Sequence, residues 1–292
     1  MRIQTTAAAL LTIGLTLAAP PGPELAARVK QLTRATVWTR AAAIPVKFPT
    51  HHPQGMVKIG DTFYVSSVDR ENAAGHLFKI DKDGALVTDL PLGASEIFHP
   101  GGLDFDGTSL WVPVAEYRPD SRTIVYRVDP KTMKATEVFR FADHVGALAF
   151  DTDTRTLHGA SWGSRRFYRW QVSADGRVAD PGVPARIARE NPSHYVDYQD
   201  CHYAGGGQML CSGVTVLRPT PSSTFRLGGL ELVDLAAGRP VHQVPIQLWL
   251  PSGRVMTENP MWMETTPTGL RTYFMPEDDQ STIYVYDVKS IS

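Results

Sequence analysis

Hydrophobic and polar positions along this chain fall into short β-type runs that recur in sets of up to four. The most β-prone run of each set spans residues 62–68, 109–115, 156–161, 208–216 and 271–275, rich in β-branched and aromatic side chains and too short for helices. A third run follows at 77–81, 125–129, 167–172, 231–234 and 283–287, ending in an aspartate in every copy except the one at 167–172. Turn sequences come next, such as Lys82-Asp83-Gly84, Pro130-Lys131-Thr132, Ala174-Asp175-Gly176 and Ala236-Ala237-Gly238. They lead into outer strands predicted at 85–92, 135–141, 177–187 and 240–246.

A five-residue phrase heads each set: His52-Pro53-Gln54-Gly55-Met56, His99-Pro100-Gly101-Gly102-Leu103, His144-Val145-Gly146-Ala147-Leu148, then residues 199–203 and 259–263. All-β units recurring at a period of roughly 45 to 60 residues are the sequence signature of β-propeller blades. The expected fold is therefore all-β, a five-bladed β-propeller; six blades is the rival count, should 189–197 or 217–228 hide further structure. The fifth set lacks an outer strand. A spare β-capable run at 36–46 would supply it and close the ring, since an open edge would leave unpaired backbone groups. Before that run, Leu25, Val29 and Leu32 at helical spacing predict a short helix within 23–34.

Composition narrows the setting more than the chemistry. Lys plus Arg number 29 against 30 Asp plus Glu, so no overall field would gather nucleic acid. Residues 1–19 carry Arg2, an apolar Ala- and Leu-rich stretch and a small-residue ending, the order of a secretory signal peptide, with no integral membrane segment expected in the mature chain. The expected organisation is a signal peptide at 1–19, a helical lead-in at 20–35 and one propeller domain at 36–292. Export makes Cys201 and Cys211, facing each other across the Gly205-Gly206-Gly207 turn, candidates for a disulfide, with two buried thiols as the alternative.

In a propeller the first strand of each blade lies nearest the axis, so the phrase heads His52, His99, His144, Gln199 with Asp200, and Glu258 with Asn259 would ring one mouth of the central channel. Loops between second and third strands would form the rim, bringing Glu116, Tyr117, Arg118, Trp162, Arg165 and Asp278 to a polar ligand. Three imidazoles with the Glu258 carboxylate suit a divalent metal ion, ligated by His52, His99 and His144, or metal-free acid and base work. The structural alternative is that each histidine simply bonds a neighbouring carbonyl and caps its strand. Gly159-Ala160-Ser161-Trp162-Gly163 matches a nucleophile elbow in letters only, because a strand rather than a helix follows Ser161.

The segments from His99 to Gly107, Tyr198-Gln199-Asp200-Cys201 and Glu258-Asn259-Pro260-Met261-Trp262 resemble an uncharacterised family of exported bacterial proteins built on one domain of unknown function. That resemblance implies a propeller and a secreted or periplasmic location, and it brings no activity. Glu258-Asn259-Pro260-Met261-Trp262 is also similar to a phrase of the calcium-dependent lactonases and strictosidine-synthase-like propellers, which would carry over Glu258 alone. Asn259 stands where those families have glycine, and three histidines are foreign to an all-oxygen calcium shell. Two functions remain in view. One is a hydrolase or lyase acting on a polar small molecule or sugar through His52, His99, His144 and Glu258, with Gln199, Asp200, Asn259, Glu116, Tyr117, Arg118, Trp162 and Arg165 holding substrate. The other is a non-catalytic module binding a glycan or a protein.

Overall fold

A computed structural model describes residues 23–289; the expected signal peptide lies outside them. Five antiparallel sheets follow one another around an axis. Blade 1 runs through His52–Ile59, Thr62–Asp69, Ala74–Ile80 and Leu86–Leu92, and blade 2 through Ile97–Pro100 with Asp104–Phe105, then Leu110–Glu116, Thr123–Asp129 and Lys134–Phe141. Blade 3 comprises Val145–Asp151, Thr156–Ser161, Arg166–Gln171 and Arg189–Glu190; blade 4 comprises Asp197–Gly205, Gln208–Thr220, Ser223–Asp234 and Arg239–Ile246. Blade 5 takes Met261–Thr266, Gly269–Phe274 and Thr282–Lys289 from the end of the chain and Thr39–Pro45 from its start. Thr39–Pro45 pairs antiparallel with Thr282–Lys289, so the N-terminal strand closes the ring as the unpaired edge requires.

The helix Pro23–Val29 lies against blades 4 and 5. Leu25, Val29 and Leu32 are buried among Leu230, Met263 and Phe274, and Arg28 donates to the carbonyls of Thr266 and Gly269 at 2.6 Å. Burial of each such aliphatic side chain contributes about 1.5–3 kcal/mol. The core itself is a ring of interblade layers, with Met56, Val65 and Val112 between blades 1 and 2 and Trp111, Phe150 and Trp170 between blades 2 and 3. The recurring aspartate of the third strand caps its turn: Asp129 Oδ1 accepts from Lys131 N at 2.8 Å and Asp81 Oδ1 from Ala85 N at 2.8 Å.

Two local expectations change. The outer strand of blade 3 is the two-residue Arg189–Glu190, not 177–187, where Pro181 and Pro184 withhold ladder donors and Pro184–Ile187 turns into a short helix. Residues 217–228 hold no sixth blade; apart from a register shift between Leu217 and Thr220 they extend the blade 4 hairpin, paired out to Thr220 and Ser223. Cys201 and Cys211 are register partners across the hairpin and form a disulfide.

The glycines of the repeated phrase follow from the narrowness of the ring. Gly102 N donates to Gly146 O at 2.8 Å and Leu148 N to Gly102 O at 3.0 Å, so the inner strands of blades 2 and 3 are joined directly. A Cβ on Gly101 would lie 2.2 Å from Gly146 O, and one on Gly55 would lie 2.7 Å from Gly102 Cα. No side chain fits there.

Candidate functional site

Deep on the axis, three ionisable side chains stitch all five blades together. Asp104 of blade 2 accepts from Phe150 N of blade 3 at 2.8 Å and from Tyr203 N of blade 4 at 2.9 Å. Asp200 of blade 4 accepts from Met56 N of blade 1 at 2.8 Å and from Cys201 N at 3.1 Å. Between the two carboxylates lies His202, Nδ1 at 3.4 Å from Asp104 and Nε2 at 3.2 Å from Asp200 and 2.7 Å from the carbonyl of Met261 in blade 5. Burial alone would strip the His202 proton. Asp200 and Asp104 outweigh it, and the His202 pKa is pushed up to about 10. This is a charged, buried, fully enclosed knot, and it removes Asp200 from the ligand-binding set predicted above.

At the mouth, His52, His99 and His144 line one cavity of about 240 Å³ together with Gln54, Tyr117, Trp162, Asp197 and Gln199. Each imidazole is tethered through one nitrogen. His144 Nδ1 lies 3.1 Å from the carbonyls of both Glu116 and Arg118, so it carries the proton and leaves Nε2 as an acceptor. His99 Nε2 lies 3.0 Å from Gln54 Oε1, whose amide nitrogen is itself engaged by Pro53 O; His99 therefore donates from Nε2 and keeps an unpartnered, buried Nδ1 lone pair. His52 Nδ1 donates to Asp278 Oδ1 at 2.8 Å, leaving Nε2.

The electrostatics match the tethers. Burial, reinforced by His144, His52 and Arg70, holds His99 well below the usual histidine range, and burial brings His144 down to about 4. Both rings are neutral at neutral pH. Asp278 is half-buried, which opposes ionisation, yet His52, Arg254 and Asn259 hold its carboxyl well below the usual range. Tyr117 stands 4.4 Å from His99 and Trp162 4.8 Å from His144, the two aromatic rings meeting edge to face at 5.9 Å. The mouth thus offers neutral acceptors, aromatic faces and one His-Asp dyad.

Other predicted site residues lie apart from the cavity. Glu258 is engaged by Arg226 Nε at 3.0 Å and by Arg254 Nη1 at 3.6 Å; Arg254 in turn bonds Asp278, so Glu258 reaches His52 only through two intermediaries. Asn259 is buried and donates to Asp278 Oδ1 at 3.0 Å. Glu116 is buried under Arg122 and Arg118, and Arg165 is occupied by Asp197 and His194 at the lip. The carboxylate partner of histidine is Asp278, and Gln54 is the residue that fixes the His99 tautomer. Gln54 had a signal, being polar where the other two histidine-headed copies of the phrase carry Gly101 and Gly146. Asp278 had none beyond membership of an acidic rim loop.

The expected metal grouping is also redrawn. Among the described residues, the side chains whose ligating atoms lie mutually within 4.8 Å are His51, Asp69 and His76, not His52, His99 and His144. Among the described residues the ligating atoms of His52, His99 and His144 do not come within that distance of one another as a group.

The sequence matches a family described as a family of unknown function, DUF6454, over residues 7–290, and the chain belongs to that family. No curated protein matches it. Among solved structures, the chain is similar to a hypothetical protein from Leishmania major, with TM-score 0.55 and 12% identity over 85% of this chain and 90% of that one. It is also similar to a tail fibre of Staphylococcus aureus phage P68, with TM-score 0.52 and 10% identity over 92% of this chain, and spans 57% of that longer chain. A glucose dehydrogenase aligns with TM-score 0.50 and 12% identity over 86% of this chain and all of the other. These likenesses are of fold.

Proposed function

We propose that this DUF6454 protein is an exported hydrolase or lyase whose cavity at the channel mouth takes a neutral, hydroxyl-bearing small molecule or sugar. One observation carries the reading: three imidazoles share that cavity, each with one nitrogen tethered and the other free, beside the exposed faces of Tyr117 and Trp162. His52 is the general base. Its Nδ1 is oriented by an ionised carboxylate, the base-plus-orienter arrangement of acyl-transfer and proton-abstracting sites, so Nε2 can take a proton from substrate or water. Neutral His99 and His144 accept hydrogen bonds from substrate hydroxyls, and Tyr117 and Trp162 stack on its apolar face. Export rests on the segment at 1–19 and accords with the disulfide.

The Tyr117–Trp162 pair favours a second reading, a glycan-binding module without turnover. Thermal-shift screening of neutral sugars and lactones, followed by turnover assays on the hits, separates the two. For an enzyme, His52→Ala keeps binding but lowers turnover about 10²- to 10⁴-fold. For a module, Trp162→Ala weakens binding about tenfold or more while His52→Ala changes little. Ligand binding indifferent to His52, His99 and Trp162 alike sinks both.

A further inference from the structure

On the flank of blade 1, beside a cleft that adjoins the mouth cavity at His52, His51 from the approach to the inner strand, Asp69 from the end of the second strand and His76 from the third converge. We infer that these three side chains form a binding site for a transition-metal ion such as zinc. A ring nitrogen of each histidine and an Asp69 oxygen lie within 4.8 Å of one another. Ligands around a zinc ion, with bonds near 2 Å, stand about 3.3 Å apart, so a contraction of about 1.5 Å or less completes the shell.

Two features of the cluster have no satisfying partner within the protein, and one cation accounts for both. His76 Nε2 is buried with no hydrogen-bond partner, a costly state for a ring nitrogen. His51 Nδ1 lies 3.7 Å from Asp69 Oδ2, too far for a hydrogen bond. The supports around the cluster are those of metal ligands. His76 Nδ1 donates to Asp89 at 3.0 Å, a carboxylate behind a histidine that leaves Nε2 as the ligating nitrogen. Asp69 accepts from Glu71 N, Asn72 N and the Asn72 amide at 3.0, 3.1 and 2.7 Å, which fixes the carboxylate in place.

His51 and His76 stack at 5.1 Å, and Phe78 continues the stack at 5.2 Å from His76, walling water from one side. His51 is held in the left-handed region at φ 54°, its carbonyl accepting from Asp279 N at 2.7 Å. Its other side opens on a cleft of about 300 Å³, which leaves room for water or a further ligand. Two imidazoles and one carboxylate select a borderline ion such as Zn²⁺ over Ca²⁺ or Mg²⁺, whose shells are built from oxygen.

The test is calorimetric titration of tag-free protein with Zn²⁺ alone. One ion per chain is expected, with affinity falling 100-fold or more in His51→Asn and in His76→Gln and about tenfold in Asp89→Asn. His51→Asn tolerates positive φ, and its metal-free thermal unfolding reports whether the fold persists; should His76→Gln not fold, His51→Asn decides. His99→Gln leaves zinc affinity unchanged. Absence of zinc uptake, uptake that survives His51→Asn, or uptake lost in His99→Gln overturns the site, and none of these outcomes bears on ligand binding at the channel mouth.

Discussion

His202 and His144 lie in the same channel, both almost wholly inaccessible to water, and carry opposite charge states. His202 sits between Asp104 and Asp200 and stays protonated toward pH 10, whereas His144 hydrogen-bonds only carbonyls and a serine hydroxyl, and with burial outweighing the nearby Asp143 charge it stays neutral down to about 4. Desolvation pulls both the same way; carboxylate company decides the outcome. The knot has every blade attached to it, while each mouth histidine spends one nitrogen on a tether and keeps the other. A buried charge held between two carboxylates serves architecture, and a neutral ring with a free lone pair is available for chemistry.

Removing an axial carboxylate should break the comparison hardest. Asp200→Ala leaves the His202 charge half-compensated and strands the amides of Met56 and Cys201, for an expected loss of about 3–5 kcal/mol in denaturant unfolding. His144→Ala should cost about 2 kcal/mol or less, because its carbonyl partners retain other lone-pair options and the ring borders a cavity. Equal losses would erase the distinction between knot and mouth.

Next in size is the pH dependence, where the two regions act on opposite arms. His202 has a raised pKa, so its stabilisation is complete below about 6.5 and is lost as pH climbs through about 10, at a slope approaching 1.4 kcal/mol per pH unit. His144 has a lowered pKa, so its contribution is complete above about 6.5 and is lost as pH falls toward about 4. Urea unfolding from pH 4 to 10 should trace a dome. In His202→Gln the alkaline loss should flatten while the acid loss remains; an unchanged alkaline arm would remove the charge from His202.

The smallest effect sharpens the mouth alone. Gln54→Met deprives His99 Nε2 of its acceptor, so ring ¹⁵N shifts should show the two tautomers mixing while stability moves by about 1 kcal/mol or less. A single unchanged tautomer would mean that Gln54 does not set it.

The blade pattern, the closing N-terminal strand and the Cys201–Cys211 pairing were legible in the chain because each depends on local alternation, turn chemistry and repeat spacing. The gathering of His52, His99 and His144 at one mouth was legible too, since equivalent positions of a repeat must share one face. Blade 3 departed from its copies where Pro181 and Pro184 forbid a ladder, a rule visible in the letters but outweighed there by the repeat.

Sequence by itself determined the ring and which residue types reach its axis. Only the closed structure decided that Asp278, from the opposite end of the chain, orients His52, that Asp104 and Asp200 charge His202, and that His51 rather than His52 turns toward Asp69 and His76. The physical reason is that the protonation state and free nitrogen of an imidazole are set by atoms within about 3 Å of it. For His52 and His202 those atoms come from blades far apart in the chain, and for His51 from other strands of its own blade, approaches that no local pattern encodes.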